Sequence, residues 1–453
     1  MARKGRFLDG VLVGLAIASR VAAVMVLESY NVPRSSYEHG EIAANLLAGH
    51  GFAMRFLGAE GPTSQQAPVY PALVALAYEI GGVETPGALL LLEAGQAALG
   101  GLLVLGVLRL ARLVAPSRPG LAWTAGLIVA LHPTLVYAAT HVQAATLGTT
   151  LLVWTLALAY QAGTTGRNRD AVFTGGLLAL LALTDPILTM AAPGAAWAVW
   201  LGRSTSPGRA RGSIRLIALL AITALAGTSP WLLRNAFVHG EFVAIKSTFG
   251  YAFWQGNCNL SEGTDKVVRP SVERILDQAS SGSSLKDWNR TIWAARHEAG
   301  YLDDIALTQD DYRRLGSVSE PERSRILFRR ALAELEADPA RYGRLCLRRL
   351  RYFILFDETN PKSRMLAYRM PHLGLTLLAG LGLVLAGPAL LRLLLPTILT
   401  AALIVVFHTL TIVSARFHIP IEPLMALWGA AGVSRLAERF HQVADQARLD
   451  TTS

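Results

Sequence analysis

The sequence predicts an all-α polytopic membrane protein with about ten transmembrane helices. Three observations carry that expectation. Of the 453 residues, 52% are hydrophobic and 16% are charged, whereas a water-soluble domain carries about 25% charged residues. The mean hydropathy is +0.38. The apolar residues also fall in blocks near the roughly 20 residues needed to cross a hydrocarbon core of about 30 Å.

In chain order, the first block covers residues 7–27 and follows the basic start MARKGR. It is longer than the apolar core of a signal peptide, so it reads as an uncleaved first span with a cytoplasmic amino end. Residues 28–85 then form a first external loop. Further blocks lie at 87–108, 120–137, 139–162, 171–185, 187–201, 215–233, 372–390, 395–413 and 419–437. The connectors carry Arg109, Arg112 and Arg118, then Arg167 and Arg169, then Arg203, Arg209 and Arg211. All three connectors come out cytoplasmic when the first span runs outward, as the positive-inside rule requires. The expected organisation is a membrane region over 1–234, an extracytoplasmic and mostly helical segment over 235–370, a second membrane region over 371–437 and a cytoplasmic tail over 438–453.

The formal charge of +10 sits largely in those short loops. No basic patch interleaved with aromatics is visible, so nucleic acid is excluded as a partner. Cys258 and Cys346 are too few for a disulfide framework, although both fall outside, where a bond can form. Arg20, Glu93 and Asp185 fall within predicted spans, where charge is costly unless paired. Arg20 and Glu93 read as such a pair.

The first external loop opens with SSYEHGEIAANLLAGHGF, residues 35–52. Ser35-x-x-Glu38 fits a capping box and Gly49 a left-handed carboxyl cap, predicting a helix from about Ser36 to Ala48. Ile42, Ala43, Leu46 and Leu47 share one side, and Glu38, Glu41 and Asn45 form the adjoining edge. Two readings stay open. Either Glu38 caps the helix and Glu41 is solvated, or one carboxylate serves as a general base at the membrane surface. Glu38, His39 and Glu41 fit no standard zinc spacing, and the sequence requires no cofactor or metal. The stretch that follows, with Pro68 and Pro71 in its first turn, predicts an interfacial helix from Val69.

In the second external segment, Ser319-Glu320-Pro321-Glu322 fits another capping box. Further on, Arg341, Arg344, Arg348, Arg349 and Arg351 interleave with Leu345, Leu347, Leu350 and Phe353, the pattern of a basic amphipathic helix on lipid.

Several motifs stand in a fixed order along the chain. They are Tyr37-Glu38-x-Gly40-x-Ile42-Ala43 with Gly49-x-Gly51-Phe52, Gly61-Pro62-Thr63 with Pro68-Val69-Tyr70-Pro71, Pro230-Trp231-Leu232-Leu233-Arg234-Asn235, Ser247-x-Phe249-Gly250 with Trp254-x-Gly256-Asn257, and Arg416-Phe417-His418-x-Pro420-x-x-Pro423. In these the chain resembles bacterial glycosyltransferases of the GT-C superfamily, in the group that includes protein O-mannosyltransferases and the lipid A aminoarabinose transferase. The resemblance covers most of the chain. It implies a polyprenyl-phosphate sugar donor, an acceptor of unspecified lipid, protein or glycan class, and transfer with inversion at the extracytoplasmic face of a bacterial inner membrane.

The family's catalytic acid lies in the first external loop and is most often an aspartate. Aligned through Glu41-Ile42, its place here falls on Ser35, which cannot act as a base. The Tyr-Glu form of the motif puts the acid at Glu38 instead, with Glu41 the other candidate. By the same resemblance Tyr37, Asn45 and Tyr70 belong to a first-loop substrate site. Arg234, Lys246, Arg416 and His418, near external span ends, are candidates for the donor phosphate. A transporter or lipid flippase would instead show two similar halves with broken helices, and none is visible. The serine at position 35 keeps open a third reading, a catalytically idle scaffold.

Overall fold

The computed structural model describes residues 2–33, 35–202, 209–267, 269–278 and 284–450. Helix α1 (Ala2–Leu27) leads into the first loop, which holds α2 (Tyr37–Leu47), an antiparallel hairpin of β1 (Ala53–Phe56) and β2 (Ala59–Pro62), and α3 (Val69–Gly81). The bundle continues with α4 (Pro86–Val114), α5 (Pro119–Leu131), α6 (Pro133–Ala138), α7 (Ala145–Thr165), α8 (Asn168–Ala182), α9 (Ala191–Leu201) and α10 (Arg209–His239). The segment between α10 and the last three long helices supplies α11 (Phe249–Asn257), α12 (Pro270–Gln278), α13 (Leu285–Ala299), α14 (Asp303–Ala306), α15 (Gln309–Gly316), α16 (Glu320–Ala337) and α17 (Pro339–Ile354). Helices α18 (Leu366–Leu385), α19 (Gly387–Leu410) and α20 (Glu422–Asp450) complete the bundle.

Every predicted apolar block is helical, and the chain is a multi-pass membrane protein. By length and composition alone, the stretches Gly5–Asn31, Pro86–Val114, Ala210–His239, Leu366–Leu385 and Gly387–Leu410 can cross a membrane. Other blocks are shorter or broken. The block expected at 120–137 breaks at His132 between α5 and α6, and that at 187–201 begins with a tight turn, Pro186–Met190, before α9. The tail expected from 438 continues α20 as far as Asp450, and 451–453 lie outside the described residues, as does Arg203.

The small hairpin is the departure from an all-helical chain. Leu57 and Gly58 form its tip with φ of 47° and 85°, the left-handed pair of a two-residue turn. Glycine is required at the second position, because a Cβ there would come within 2.2 Å of the Tyr312 carbonyl oxygen in α15.

Arg20 and Glu93 do not pair. Arg20 is fully buried and donates from Nη1 to the Ala16 and Ala130 carbonyls (3.0 and 3.1 Å) and from Nη2 to that of Val129 (3.2 Å). The physical reason is Pro133. Lacking an N–H, it leaves the Val129 carbonyl four residues earlier without its helical donor, and Arg20 fills the gap. Gly100 makes room, since a Cβ there would meet Arg20 Cδ at 2.2 Å. Glu93 accepts instead from the Ser29 hydroxyl at 2.8 Å. In a double-mutant cycle of thermal unfolding in detergent, Arg20→Met is expected to cost about 2–5 kcal/mol. Its effect and that of Glu93→Gln are expected to add within about 0.5 kcal/mol; a larger coupling would restore the pair.

Helix α17 also departs from expectation. Arg349 points inward, fully buried, donating to Thr409 O (2.7 Å) and Gly256 O (2.8 Å). Arg341 donates to the Asn257 and Cys258 carbonyls. These arginines satisfy carbonyls at the carboxyl ends of α11 and α19, while Leu347 is 70% exposed. Arg344, Arg348 and Arg351 pair outward with Asp338, Glu262 and Glu358. The helix therefore docks the α11–α17 segment onto the bundle through its arginines. Cys258 and Cys346 are both unbonded to each other.

Candidate active site

The first loop meets the α11–α17 segment at the end of the bundle where α1 and α10 finish and α18 and α20 begin. Glu320 is the knot between them. Its carboxylate accepts from Thr63 Oγ1 (2.6 Å), Ser64 N (2.7 Å) and Ser247 Oγ (2.6 Å). The capping box expected at Ser319 does not form: Ser319 makes no side-chain cap bond, and Glu322 accepts instead from Arg325 and Arg329 (both 2.6 Å). Arg234 shares this work. It donates to the Thr63 carbonyl (2.6 Å) and the Phe52 carbonyl (3.1 Å), with its guanidinium 4.7 Å over the Trp231 ring. Its donors are spent on loop backbone.

Within α2, the predicted carboxyl cap forms as a Schellman motif. Gly49 has φ of 82°, His50 N donates to Asn45 O (2.9 Å), and Gly49 N to Leu46 O (3.3 Å). The capping box at the other end does not form. Ser36 stands at the cap without a side-chain bond, and the backbone enters α2 through Tyr37 at φ of 43°. Left-handed backbone at a bulky residue is strained, and it sits beside Glu38.

The two candidate carboxylates are thereby separated. Glu41 is exposed and accepts from Arg55 N at 2.7 Å, pinning α2 to the hairpin. Asn45 serves the same junction, donating to Ala53 O at 2.9 Å. Glu38 is half-buried with no hydrogen-bond or ion-pair partner among the described residues, and its charge bears on Tyr37, Lys246, Tyr301 and Arg416.

Of the other first-loop candidates, Tyr37 stacks among Trp293, His297 and Tyr301, with centroids 5.9–6.2 Å away. Burial raises its phenol pKa, against the pull of Arg296. Tyr70 is buried, its hydroxyl donating to Gln96 Oε1 (3.4 Å) and its ring 4.9 Å from that of His39. Burial, then the charges of Lys246 and Arg416, push His39 down to about 3, so it is neutral at pH 7.

Arg416 lies on the 411–421 segment between α19 and α20. Its side chain is solvent-accessible, yet the groups acting on it come from four separate segments: Asp265, Tyr301, Glu38 and Asp185. Burial works to lower its pKa, and the carboxylates of Asp265, Glu38 and Asp185 help to hold it above the usual value. The guanidinium rests 5.6 Å from the Phe417 ring and makes no hydrogen bond or ion pair among the described residues. Asp265 is brought beside it by a parallel bridge between Thr264 and Val413, with Val413 N donating to Gly263 O at 3.1 Å. Lys246 donates to Gln66 Oε1 at 2.9 Å; burial lowers its pKa, Asp185 and Glu38 raise it, and Arg416 lowers it. Lys362 donates to His141 Nε2 at 2.9 Å and is held well below the usual lysine range by burial, Arg296 and Arg416. Arg296 lies 4.3 Å over Trp293, its Nε and Nη1 buried without partners. The result is a crowded set of cations with an unsatisfied positive field, faced by Glu38, Asp185 and Asp265. Such a set suits a phosphate.

Sequence reading singled out Asp185 as an ionisable residue within a span but missed Asp265, Arg296 and Lys362. Asp185 was expected within a span. It lies instead in the turn between α8 and α9, its Oδ1 accepting from Ile187 N at 3.2 Å, and the Asp185-Pro186 break was the available signal. The others sit in polar sequence with no distinguishing pattern. His418 does not join the set. It is buried, with Nδ1 3.0 Å from Glu422 Oε1 and Nε2 3.0 Å from the Tyr368 hydroxyl.

One further buried acid braces the Asp265 strand. Asp357 Oδ1 accepts from Thr359 N (2.9 Å) and Oγ1 (2.6 Å), and Thr359 Oγ1 meets Thr264 Oγ1 at 2.9 Å. Burial pushes the Asp357 carboxyl up to about 7, with the Thr359 bonds opposing. A folded-state acid raised above its unfolded value favours the native state while protonated. That stability is present below the unfolded value of 3.8 and is lost as pH rises toward about 7. Unfolding measured from pH 5 to 8 is expected to show this decline, and Asp357→Asn to flatten it by on the order of a few kcal/mol. An unchanged slope would contradict the assignment.

No protein-family model matches the chain, and no curated protein matches it. Solved structures do. The oligosaccharyltransferase of Archaeoglobus fulgidus in its apo form matches 98% of this chain at 14% identity and TM-score 0.53, with 52% of that chain covered. The same protein in complex with Zn and sulfate matches at 15% identity and TM-score 0.50, with 51% covered. The chain thus spans about half the length of that protein. ArnT from Cupriavidus metallidurans, bound to undecaprenyl phosphate, gives 16% identity and TM-score 0.42 over 95% of this chain and 78% of that one. At these identities the likeness to the oligosaccharyltransferase shows the fold alone.

Proposed function

We propose that the chain is an integral membrane glycosyltransferase moving a sugar from a polyprenyl-phosphate carrier to an acceptor at the extracytoplasmic face, with Glu38 as general base and Arg416 as the principal phosphate ligand. The observation that carries this reading is that both lack a protein partner and stand in one electrostatic cluster at one end of a membrane bundle. Opposite charges left unpaired within one cluster suit a reaction that creates charge between them.

In that reaction the acceptor hydroxyl gives its proton to Glu38 and its oxygen attacks the anomeric carbon. The bond from that carbon to the phosphate oxygen breaks, and the lipid phosphate leaves as a dianion held by Arg416, with Lys246, Arg296 and Lys362 around it. Phosphate is a good leaving group and needs no acid. A single displacement inverts the anomeric centre. Tyr37 and its ring neighbours offer a face for the sugar. Tyr70, Asn45, Glu41 and Arg234 act as supports for the loops rather than as substrate contacts.

Among the described residues, the group with metal-holding geometry is His372, His418 and Glu422, not the first-loop acids. Arg112 paired with Asp9, and Arg118 with Glu438, lie at the end of the bundle opposite Glu38. This supports a bacterial inner-membrane protein with both termini cytoplasmic. The regions 1–234 and 371–437 then form the membrane part, and 235–370 shapes the acceptor side. Transfer from a panel of radiolabelled polyprenyl-phosphate sugars in purified membranes tests the reading. Silence of the wild type across sugars and acceptors would leave the transporter or idle-scaffold alternatives.

A further inference from the structure

We propose that His132, His372, His418 and Glu422 form a structural site for a divalent transition metal, Zn2+ by its donor set, that ties the Arg416 segment to the bundle. The four residues come from three places. His132 occupies the break between α5 and α6, His372 follows Pro371 in α18, and His418 and Glu422 are four residues apart leading into α20. Their exposures are 6%, 1%, 2% and 0%.

The donor atoms converge on one point. Nδ1 of His418 and Nδ1 of His372 lie 3.0 and 3.3 Å from Glu422 Oε1, and Nδ1 of His132 lies 3.5 Å from Oε2. The ligand atoms of His372, His418 and Glu422 all lie within 4.8 Å of one another. With metal–ligand bonds of about 2.0–2.1 Å, a tetrahedral Zn2+ site has ligand atoms roughly 3.3 Å apart, which matches the closest spacings here.

Hydrogen bonding on the far side of each ring fixes where the protons are. His372 Nε2 faces the Ile354 carbonyl at 3.1 Å and His132 Nε2 that of Pro371 at 3.4 Å. Carbonyls only accept, so both Nε2 atoms carry hydrogen. His418 Nε2 faces the Tyr368 hydroxyl at 3.0 Å, and that hydroxyl already donates to Ala415 O at 2.9 Å. It must therefore accept from His418 Nε2. Each neutral imidazole then turns an Nδ1 lone pair toward the Glu422 carboxylate, an arrangement that repels unless a cation lies between. Outer acceptors that orient the ring in this way are the usual second layer of a histidine metal site.

Two atoms inside the cluster are left over. His132 Nδ1 and Glu422 Oε2 are buried with no hydrogen-bond partner, a costly condition that one bound cation removes for both. Protonating all three rings would bury three positive charges against one negative. A divalent ion among neutral rings leaves only one net positive charge and gives every lone pair a bond. Four protein ligands close the coordination shell, so the site fixes structure rather than activates water. His418 lies two residues after Arg416, so the metal would hold that segment in register. This proposal stands independently of whether sugar transfer is found.

The test uses the purified full chain in detergent, stripped with a chelator, reloaded with Zn2+ and desalted, with bound metal measured by mass spectrometry. About one Zn2+ per chain is expected, falling at least about tenfold in Glu422→Gln and in His372→Gln, with His132→Gln weakened less. Glu38→Gln should keep its full equivalent, which separates this cluster from the first-loop acids. Wild-type uptake under about 0.1 equivalent, or full retention in both Glu422→Gln and His372→Gln, would overturn the site. Should those variants not fold, Co2+ loading of the wild type decides. The intense visible absorption of a tetrahedral nitrogen–oxygen site supports the proposal, and weak octahedral absorption or no uptake rejects it.

Discussion

Glu38→Gln is expected to lower sugar transfer by about 10²–10⁴-fold, while Glu41→Gln stays within about threefold of wild type. The substitution keeps the shape of the side chain and removes only its capacity to take a proton. Glu38 holds no hydrogen-bond partner among the described residues, so its loss orphans no buried donor, and thermal stability is expected to hold. Glu41 is the converse case. Its carboxylate accepts from Arg55 N at 2.7 Å, and glutamine can accept that bond through its amide oxygen. Any effect of Glu41→Gln therefore belongs to the junction of α2 with the hairpin. Parallel assays of transfer and melting temperature separate the two. Loss of transfer in Glu41→Gln with Glu38→Gln intact would move the base one helical turn. Equal melting losses in both, with transfer preserved, would make each carboxylate a support.

Much of this architecture was legible because membrane helices write themselves in composition. Each apolar block became helical, although those expected at 120–137 and 187–201 are broken. What the sequence could not say was which polar residues would turn inward. Arg349 and Arg341 looked like parts of a lipid-facing basic stripe, yet each is used on helix-end carbonyls. Whether those carbonyls lack donors depends on where α11 and α19 stop in space. Glu38 and Glu322 both matched capping boxes, and neither caps: the backbone enters α2 through a left-handed Tyr37, and Glu322 pairs with Arg325 and Arg329. Glu320 finds Thr63 and Ser247, distant in sequence. Arg20 and Glu93 followed the rule that charges within a span need partners, but the partner of an arginine need not be an acid. Pro133 created the carbonyl that Arg20 fills, so the relevant signal was a proline in another helix. The cluster of Arg296, Lys362, Asp185 and Asp265 is of the same kind, with residues from separate segments meeting only after folding.

Arg416→Ala is expected to lower kcat/KM by about 10²–10³-fold with little change in melting temperature. The two halves of that expectation come from one fact: the guanidinium makes no hydrogen bond or ion pair with the described protein. Little of the fold depends on it, so its loss falls on the ligand. The partition between kcat and KM follows from charge. A lipid phosphodiester bears one negative charge in the bound donor, and the departing phosphate bears two. A fixed guanidinium therefore stabilises the transition state more than the ground state, and kcat should fall more than KM rises. Arg416→Lys restores the point charge without the planar fork, so it should recover part of the rate. Arg234→Ala should behave oppositely, because its guanidinium holds the Thr63 and Phe52 carbonyls. It should lower the melting temperature first and transfer only through that loss. If Arg416→Ala instead raised KM alone, the residue would hold the donor equally before and during reaction, and the developing charge would have to be met by Lys246, Arg296 or Lys362. Their position among mutually repelling cations makes them the next residues to substitute.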